Sequence, residues 1–237
     1  MTKIRKAATI LLGRDFQGEF EILLLKRNKA LAFAGGLWVF PGGKIETNEI
    51  EQSPDELTAA KVAAVRETME ESNLKINSDD LIFYRHWTTP AIEPRRFATY
   101  FFFAAAPIED SDVQIDDSEI KKHLWISPKK ALTKFEAGEL AMLPPTLMSL
   151  KLISTCQTVD EAIDLMKKEE PLFILPVLQQ EGKNMICMYE GDAGYNNGIA
   201  NTEGPRHRLI INIFNGKYSF EFKDCEGIRP VNGSKIS

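Results

Sequence analysis

Three glutamates near the middle of the chain, Glu67, Glu70 and Glu71, have a spacing that can bind a metal ion. On a helix these positions, i, i+3 and i+4, share one face, where like charges repel by roughly 0.2–0.5 kcal/mol per pair. A hard divalent cation prefers oxygen ligands and would offset this repulsion. The pattern therefore predicts a carboxylate metal site, with an acidic helix face open to solvent as the alternative.

Oxygen atoms in two other segments are candidates for the same site. Gly42-Gly43 lies upstream, and glycine allows the backbone to approach a metal ion or a phosphate closely. Downstream, Glu119 lies in an acidic segment, residues 107–122, six residues before Trp125. We expect Glu119 to supply a fourth carboxylate, and a solvated loop acid is the alternative.

The three glutamates need a helix to position them. We expect this helix to run from about Pro54 to Ser72, because proline favours a first helical turn and residues 57–65 are strong helix formers. Asn73 follows directly. The residue after a helix often needs a left-handed backbone, which Asn tolerates better than other non-glycine residues.

Residues 43–71 resemble the sequence box of the Nudix hydrolases. In that box a glycine is followed by five residues, a glutamate, seven residues and the segment Arg-Glu-x-x-Glu-Glu-x-Gly. Here the glycine is Gly43, the first glutamate is Glu49, and the Arg-Glu-x-x-Glu-Glu segment runs from Arg66 to Glu71. Sixteen residues, Ile50 to Val65, replace the usual seven. The loop before the helix, or its first turn, is expected to hold this insertion, which leaves the role of Glu49 open.

The flanking segments are similar to those of the coenzyme A diphosphatases and their bacterial relatives, which also carry a long box insertion. The similar segments are residues 23–27, Gly36 with Phe40-Pro41-Gly42-Gly43, residues 86–90 and residues 95–97. Ala32 stands where the coenzyme A motif has an arginine, and Leu25 stands where it has a threonine. Asn73 replaces the last glycine of the box. The match to this branch is therefore partial.

The resemblance implies an α/β protein, the Nudix α/β/α sandwich with a mixed sheet, over residues 1–155. Residues 156–237 are expected to form a C-terminal extension, first helical and then β-rich, that packs on the same domain or stands apart. The implied activity is hydrolysis of the diphosphate linkage in a nucleoside diphosphate joined to another group. Coenzyme A, an acyl derivative, NADH and ADP-ribose are candidate substrates. A Nudix-fold protein that binds a nucleotide without cleaving it is the alternative, which displacement of the helix by the insertion would favour.

The resemblance also implies roles for individual residues. The expected ligands of Mg²⁺ or Mn²⁺ are four oxygen donors of the box: Glu67, Glu70, Glu71 and the Gly42 carbonyl. Arg66 is expected to orient a glutamate or the glycine turn, and Glu67 or Glu119 to act as the general base. Arg95 and Arg96 are candidates for binding a substrate phosphate through paired donors. An ordinary pair of surface arginines is the alternative for these two.

The remaining segments predict further strands and helices around the box. Strands are expected at residues 7–13, 20–27, 81–89, 97–106, 123–126, 173–178, 185–189, 209–214 and 218–222, and helices at 128–137, 144–153 and 158–168. Three consecutive phenylalanines, residues 101–103, predict a strand covered on both faces. Asn215-Gly216 is a strong hairpin signal.

Composition limits the class of protein. The chain has 237 residues, of which 43% are hydrophobic and 27% charged, as in ordinary globular proteins. A net charge of −5 gives no basic footprint for duplex nucleic acid. No apolar run reaches the roughly 18 residues of a membrane span. The three cysteines are widely spaced without a metal-binding pattern, which predicts reduced thiols in a cytoplasmic protein.

The C-terminal segment offers one further candidate partner, a second copy of the chain. Its β-rich residues are a candidate homodimer surface. Arg206-His207-Arg208 is expected at a solvated strand end, with a pocket or a dimer seam as alternatives. His123 and His207 lack the spacing of a zinc site.

Overall fold

The computed structural model of the protein describes residues 3–107, 113–115, 117–168 and 170–233. The strands of the large sheet are β1 (Ile4–Phe16), β2 (Glu19–Arg27), β3 (Trp38–Val39), β4 (Gly42–Lys44), β5 (Ile82–Thr88), β6 (Arg96–Ala105), β7 (Ile120–Ile126) and β8 (Leu172–Ile174). A second sheet contains β9 (Val177–Glu181), β10 (Asn184–Met188), β11 (Arg206–Asn212) and β12 (Tyr218–Lys223). The α-helices are α1 (Thr47–Gln52), α2 (Glu56–Ser72), α3 (Pro128–Glu136), α4 (Pro144–Ile153) and α5 (Val159–Lys168).

Strand β1 is the centre of the large sheet. It pairs in parallel with β6 and antiparallel with both β2 and β4, and the strand order is β3-β2-β1-β6-β5-β8. Residues 7–13 of β1 are all buried, as expected for a strand covered on both faces. The strand is longer than the predicted segment 7–13, because β6 supplies backbone partners from Ile4 onward.

Helices cover both faces of this sheet. Helix α2 packs on one face through four alanines, residues 59, 60, 63 and 64, whose small side chains allow close approach of helix and sheet. Helices α3, α4 and α5 contribute to the core on the other face. The three phenylalanines of β6 divide between these cores, with Phe102 facing α2 and its two neighbours facing away. The predicted sandwich with a mixed sheet is confirmed.

Helix α2 begins slightly later than predicted. Its first residue is Glu56 rather than Pro54, and the side chain of Asp55 accepts a hydrogen bond from the Thr58 N–H at 2.8 Å. This contact satisfies one of the N–H groups that a helix leaves unpaired at its start. At the other end Asn73 has φ 59° and donates its N–H to the Met69 carbonyl, which confirms the predicted left-handed position.

The box insertion is largely helical. The prediction placed the additional residues in a loop or in the first turn of α2. In the structure, the sixteen residues form the end of α1, a short turn and the first ten residues of α2. The predicted helix from about Pro54 already contained those ten residues, so only the end of α1 differs from the prediction. An additional helix within the insertion was not predicted, because α1 is only six residues long and has no apolar periodicity.

The C-terminal segment joins the large sheet before it forms its own. The single strand predicted at residues 173–178 is wrong: β8 ends at Ile174 and β9 begins at Val177. Strand β8 pairs in parallel with β5, whereas β9 opens the second sheet. Pro176 lies between them and cannot donate to a strand ladder, so the chain changes sheet there. The division into two domains at residue 155 stays a prediction.

The prediction that Arg206-His207-Arg208 lies at a solvated strand end is also wrong, because His207 and Arg208 are buried. Arg208 donates two hydrogen bonds to the Asp192 carboxylate, at 2.6 and 2.7 Å. The His207 ring lies between the Glu190 carbonyl and the Val231 N–H, and burial lowers its pKa. These contacts hold the long connection between β10 and β11 against the second sheet.

Four other expectations concern the hairpin at Asn215-Gly216, the cysteines, membrane spans and the acidic segment. The Asn215-Gly216 hairpin joins β11 and β12 as predicted. The three cysteines form no disulfide. Among the described residues, no helix is both long and apolar enough to cross a membrane. Of the acidic segment 107–122, residues 108–112 and 116 lie outside the described residues.

Arg208→Met is expected to destabilise the protein by about 3–5 kcal/mol at neutral pH, because it leaves the buried Asp192 carboxylate without its cation. Burial opposes ionisation of Asp192, but the hydrogen bonds from Arg208 and from two backbone N–H groups outweigh it and lower its pKa from 3.8. The stability contributed by this ionised group is present above the unfolded pKa and is lost as the pH falls through the lower, folded pKa. Urea unfolding of wild type and variant should therefore show a smaller difference at pH values below 3.8 than at neutral pH.

The control for this experiment is Lys223→Met, which removes an exposed ion pair with Asp224 at 3.8 Å. It is expected to change the free energy of unfolding by less than about 1 kcal/mol. Equal losses in the two variants would contradict the importance assigned to the buried pair.

Candidate active site

Strand β1 holds the glycine turn in place. Strand β4 pairs antiparallel with β1, so that Gly42 lies opposite Thr9, and the Thr9 hydroxyl donates to the Pro41 carbonyl at 2.7 Å. Gly42 has φ 155°, and a Cβ atom there would lie 2.4 Å from the Ala8 carbonyl oxygen. Only glycine allows the two strands to approach this closely at this position.

The glycine turn and helix α2 meet at two carboxylates. The Gly42 N–H donates to Glu71 Oε2 at 2.9 Å. A Cβ atom on Gly43 would lie 2.3 Å from the carboxylate carbon of Glu67 and would displace that side chain. The glycine pair therefore serves the local geometry in two ways, by pairing tightly with β1 and by leaving room for the glutamates of α2.

Arg66 connects the elements of the box. Its Nε donates to Glu49 at 2.8 Å, and its Nη1 donates to Glu67 at 2.9 Å and to Glu70 at 3.1 Å. Its Nη2 donates to the Lys44 carbonyl of β4 at 3.0 Å. The arginine thus joins α1, α2 and β4. The arginine also offsets the repulsion among the glutamates. From the spacing of the glutamates alone, a metal ion was expected to do this.

Glu49 is part of this arrangement despite the long insertion. Only 6% of its surface is exposed, and its carboxylate also accepts the Glu46 N–H at 2.7 Å. Helix α1 places the side chain at the guanidinium of Arg66, and the additional residues continue away from that contact into α2. The role that the sequence left open for Glu49 is therefore structural contact with Arg66.

Burial makes two of the glutamates weaker acids than usual. Glu71 is 5% exposed, and this burial raises its pKa to about 8, although the Gly42 N–H and Arg27 favour the ionised form. Burial also raises the pKa of Glu67, with Arg66 acting in the opposite direction. Positive charge near these carboxylates would therefore stabilise their ionised forms.

Arg27 and Glu119 complete the charged cluster. Arg27 Nη1 lies 3.8 Å from Glu71 Oε1, and its Nη2 donates to Glu119 Oε2 at 3.3 Å. The Asn28 N–H donates to the Glu119 carbonyl at 2.7 Å, which fixes the backbone beside β2. The structure thus places Glu119 beside Arg27, and its role as a fourth carboxylate of the site stays a prediction. The sequence did not assign Arg27 to the site, although its charge lies at the end of β2, one residue after Lys26.

This combination of sequence and geometry also occurs in known proteins. The sequence profile of the family described as "NUDIX domain" matches residues 3–144, which is more than half of the chain. The chain belongs to the Nudix family. As a Nudix hydrolase it acts on pyrophosphate bonds. Nudix hydrolases cleave such bonds in nucleoside diphosphate derivatives and generally use divalent metals such as Mg²⁺ or Mn²⁺.

Two similar proteins carry the same family name. The chain is 27% identical to the "Putative nudix hydrolase 7" of Caenorhabditis elegans over 227 residues, with 81% of this chain and 74% of the relative covered. The solved structure of a NUDIX hydrolase from Alicyclobacillus acidocaldarius is 25% identical and superposes with a TM-score of 0.61. That superposition covers 69% of this chain and 97% of the other. The coenzyme A branch stays a prediction.

The two predicted substrate arginines lie away from the Nudix box. Arg96 pairs with Ile4 on β1, whereas Gly43 pairs with Ala8, so they are separated by about 13 Å along the strand. The Arg96 Nε donates to the Thr89 carbonyl at 3.1 Å. Arg95 is exposed in the preceding loop. Neither forms a described contact with the box, and their role in binding stays a prediction.

The chemistry of the Nudix glutamates fits a divalent cation. Within the described residues, no three His, Cys, Asp or Glu side chains are arranged to hold a metal ion together, and Arg66 and Arg27 form ion pairs with the glutamates. The donors are nonetheless carboxylates and a backbone carbonyl, the ligands that Mg²⁺ selects. Burial raises the pKa of Glu71, so nearby positive charge would favour its ionised form. A divalent cation would provide it.

Glu49→Ala is expected to lower the free energy of unfolding by about 1–3 kcal/mol, because the variant removes a buried acceptor of Arg66. Pyrophosphate-bond hydrolysis should fall as well, because Arg66 then loses its contact with α1 and is held only by α2 and β4. Urea unfolding and kcat measure these two effects.

The matched control is Glu51→Ala, which removes an exposed glutamate from the same short helix. Its stability and kcat should match those of the wild type. Wild-type values in the Glu49 variant would show that the contact with Arg66 has no part in either property.

Proposed function

We propose that this Nudix hydrolase cleaves the diphosphate linkage of a nucleoside diphosphate joined to another group, with Mg²⁺ or Mn²⁺ bound at the box. Coenzyme A and its acyl derivatives are the leading candidate substrates, followed by NADH and ADP-ribose. The observation that carries the proposal is the set of Arg66 contacts, which reach α1, α2 and β4. They support an assembled box despite an insertion that lengthens it.

The proposed metal ligands are oxygen atoms on α2 and β4: Glu67, Glu70, Glu71 and the Gly42 carbonyl. When bound, a divalent cation neutralises phosphate oxygens and lowers the pKa of water. The Gly42 N–H holds the Glu71 carboxylate, and Arg66 holds Glu67 and Glu70. Arg66 is therefore proposed as a positioning residue.

Glu67 and Glu119 are the two candidates for the general base. Burial raises the pKa of Glu67, which favours a carboxylate that accepts a proton more readily near neutral pH. Glu119 has a more exposed side chain, at 57%, and is paired with Arg27. Exposure gives Glu119 access to water, whereas Glu67 is itself one of the proposed metal ligands.

Coenzyme A is supported by the similarity of the segments that flank the box, although two of their positions depart from the coenzyme A motif. Leu25, which replaces the threonine of the coenzyme A motif, is fully buried and packs in the core below α2. Ala32, which replaces an arginine, lies at the surface and brings no charge to the substrate. Arg95 and Arg96 are the proposed source of phosphate contacts on the other side of β1.

The alternative of a Nudix-fold protein that binds a nucleotide without cleaving it needed an insertion that displaces α2. Helix α2 instead packs against β1 and β4, and Glu49 contacts Arg66. The contacts of α2 therefore do not favour this alternative.

Three further points stay predictions: cytoplasmic location, the lack of a duplex nucleic-acid partner, and a homodimer through the C-terminal segment. Sedimentation analysis of the full chain would decide whether the protein is a homodimer.

Glu70→Gln is expected to lower kcat by more than about 100-fold, because even loss of an outer-shell partner of a metal ligand costs 10–100-fold. The assay is a panel of coenzyme A, acetyl-coenzyme A, NADH and ADP-ribose with Mg²⁺, with Mn²⁺ and with EDTA. Hydrolysis should require the metal. The control is Glu139→Gln, a surface glutamate paired with Lys134, which should retain wild-type rates. Full activity of the Glu70 variant, or of the wild type in EDTA, would refute the assignment.

The double variant Arg95→Gln/Arg96→Gln is expected to raise the KM of the preferred substrate by about tenfold, because each substitution removes the proposed charge-assisted contacts of one arginine to phosphate. The kcat should change little, since these residues lie apart from the proposed metal ligands. An unchanged KM for every substrate in the panel would identify the pair as ordinary surface arginines.

A further inference from the structure

The pairing of strands β2 and β7 becomes irregular at Arg27. Strand β2 pairs regularly with β7 until Lys26, and the register shifts between Lys26 and Arg27. The additional residue, Lys121, lies on β7, which bends there while Arg27 pairs with Ile120, and such bulges are common beside active sites. Here the irregularity lies where the Arg27 guanidinium reaches Glu71 and Glu119.

The backbone around Arg27 is held on two sides. The Arg27 N–H donates to the Leu37 carbonyl at 3.0 Å, and the Arg27 carbonyl accepts the Gly36 N–H at 3.1 Å. On the other side Asn28 donates to the Glu119 carbonyl. A side chain on a backbone that is fixed in this way has less conformational freedom to lose when it binds a ligand.

The contacts of the guanidinium itself are long. Charge-assisted N–H to carboxylate bonds are usually about 2.7–2.9 Å, whereas Arg27 lies 3.3 Å from Glu119 and 3.8 Å from Glu71. Its Nε is buried and has no hydrogen-bond partner among the described residues. A planar guanidinium offers five N–H donors, so donors remain for a further acceptor.

We propose that Arg27 is a substrate-binding residue that donates to an oxygen of the diphosphate at the Glu71–Glu119 side of the site. Glu119 holds the guanidinium from the exposed side, and the diphosphate replaces the long contact to Glu71. This inference rests on the proposed function, because it assigns a contact to the same diphosphate. The alternative is that Arg27 only balances the negative charges of Glu71 and Glu119 and does not contact the substrate.

The experiment compares Arg27→Gln, Arg27→Lys and the control Arg14→Gln with the wild type. Arg14 lies on β1, donates to Glu21 at 2.8 and 3.0 Å, and has an exposed side-chain fraction of 18%, against 17% for Arg27. ADP binding by calorimetry, Mn²⁺ affinity, thermal unfolding, KM and kcat are measured for each full-length protein.

Diphosphate binding by Arg27 predicts that Arg27→Gln weakens ADP binding and raises KM about tenfold or more. Arg27→Lys keeps the charge but not the planar fork, so its ADP affinity and KM should fall between those of wild type and Arg27→Gln. Mn²⁺ affinity should be retained or increased, because a positive charge near the metal ligands is removed. Arg14→Gln should bind ADP as the wild type does.

A role in charge balance alone predicts a different outcome. Arg27→Lys would then match the wild type in ADP affinity and KM, even if Arg27→Gln unfolds, and this result would overturn the proposal. Equal ADP affinity of wild type and Arg27→Gln, including no binding by either, would also overturn it. If the wild type hydrolyses no member of the substrate panel, the proposed function fails, whereas the ADP titrations still decide the role of Arg27.

Discussion

The hydrogen bonds of Arg66 are the interaction on which the rest of the site depends. Four carboxylates, three of them largely buried, meet beside β4, one from α1 and three from the end of α2. Their mutual repulsion in a medium of reduced dielectric would separate these elements unless positive charge lay between them. Arg66 supplies that charge to three glutamates and also binds the carbonyl of Lys44. Because one guanidinium reaches three elements, their relative positions are coupled.

The central strand supplies the second constraint. Strand β1 carries β4 on the same edge as β2 and is covered on both faces, so its position is fixed by pairing and by burial together. Gly42 is pressed against Ala8 and Thr9, and Gly43 leaves space for Glu67. The backbone of the glycine turn is thus held by its pairing with β1, and its Gly42 N–H donates to the Glu71 carboxylate.

The C-terminal segment depends on a different kind of contact. The buried Asp192–Arg208 pair and the His207 ring organise the connection between β10 and β11, and Arg85 of β5 donates to the Val231 carbonyl. Strand β8 extends the large sheet beside β5. Polar groups in the interior are therefore paired across segments far apart in sequence, which ties residues after 156 to the sheet that carries the Nudix box.

The sequence determined the family, the mixed α/β fold and the helix that carries Glu67, Glu70 and Glu71, because motif spacing and local helix signals are properties of neighbouring residues. It also identified Glu119 as a candidate and Asn73 as a left-handed position. Only the tertiary structure decided that Glu49 meets Arg66 across the long insertion, that Arg27 joins the site, that Arg95 and Arg96 lie apart from it, and that Arg208 is buried. Each of these outcomes depends on pairing between residues distant in sequence. A charged side chain looks the same in a sequence whether solvent or a buried carboxylate becomes its partner, and only packing distinguishes the two.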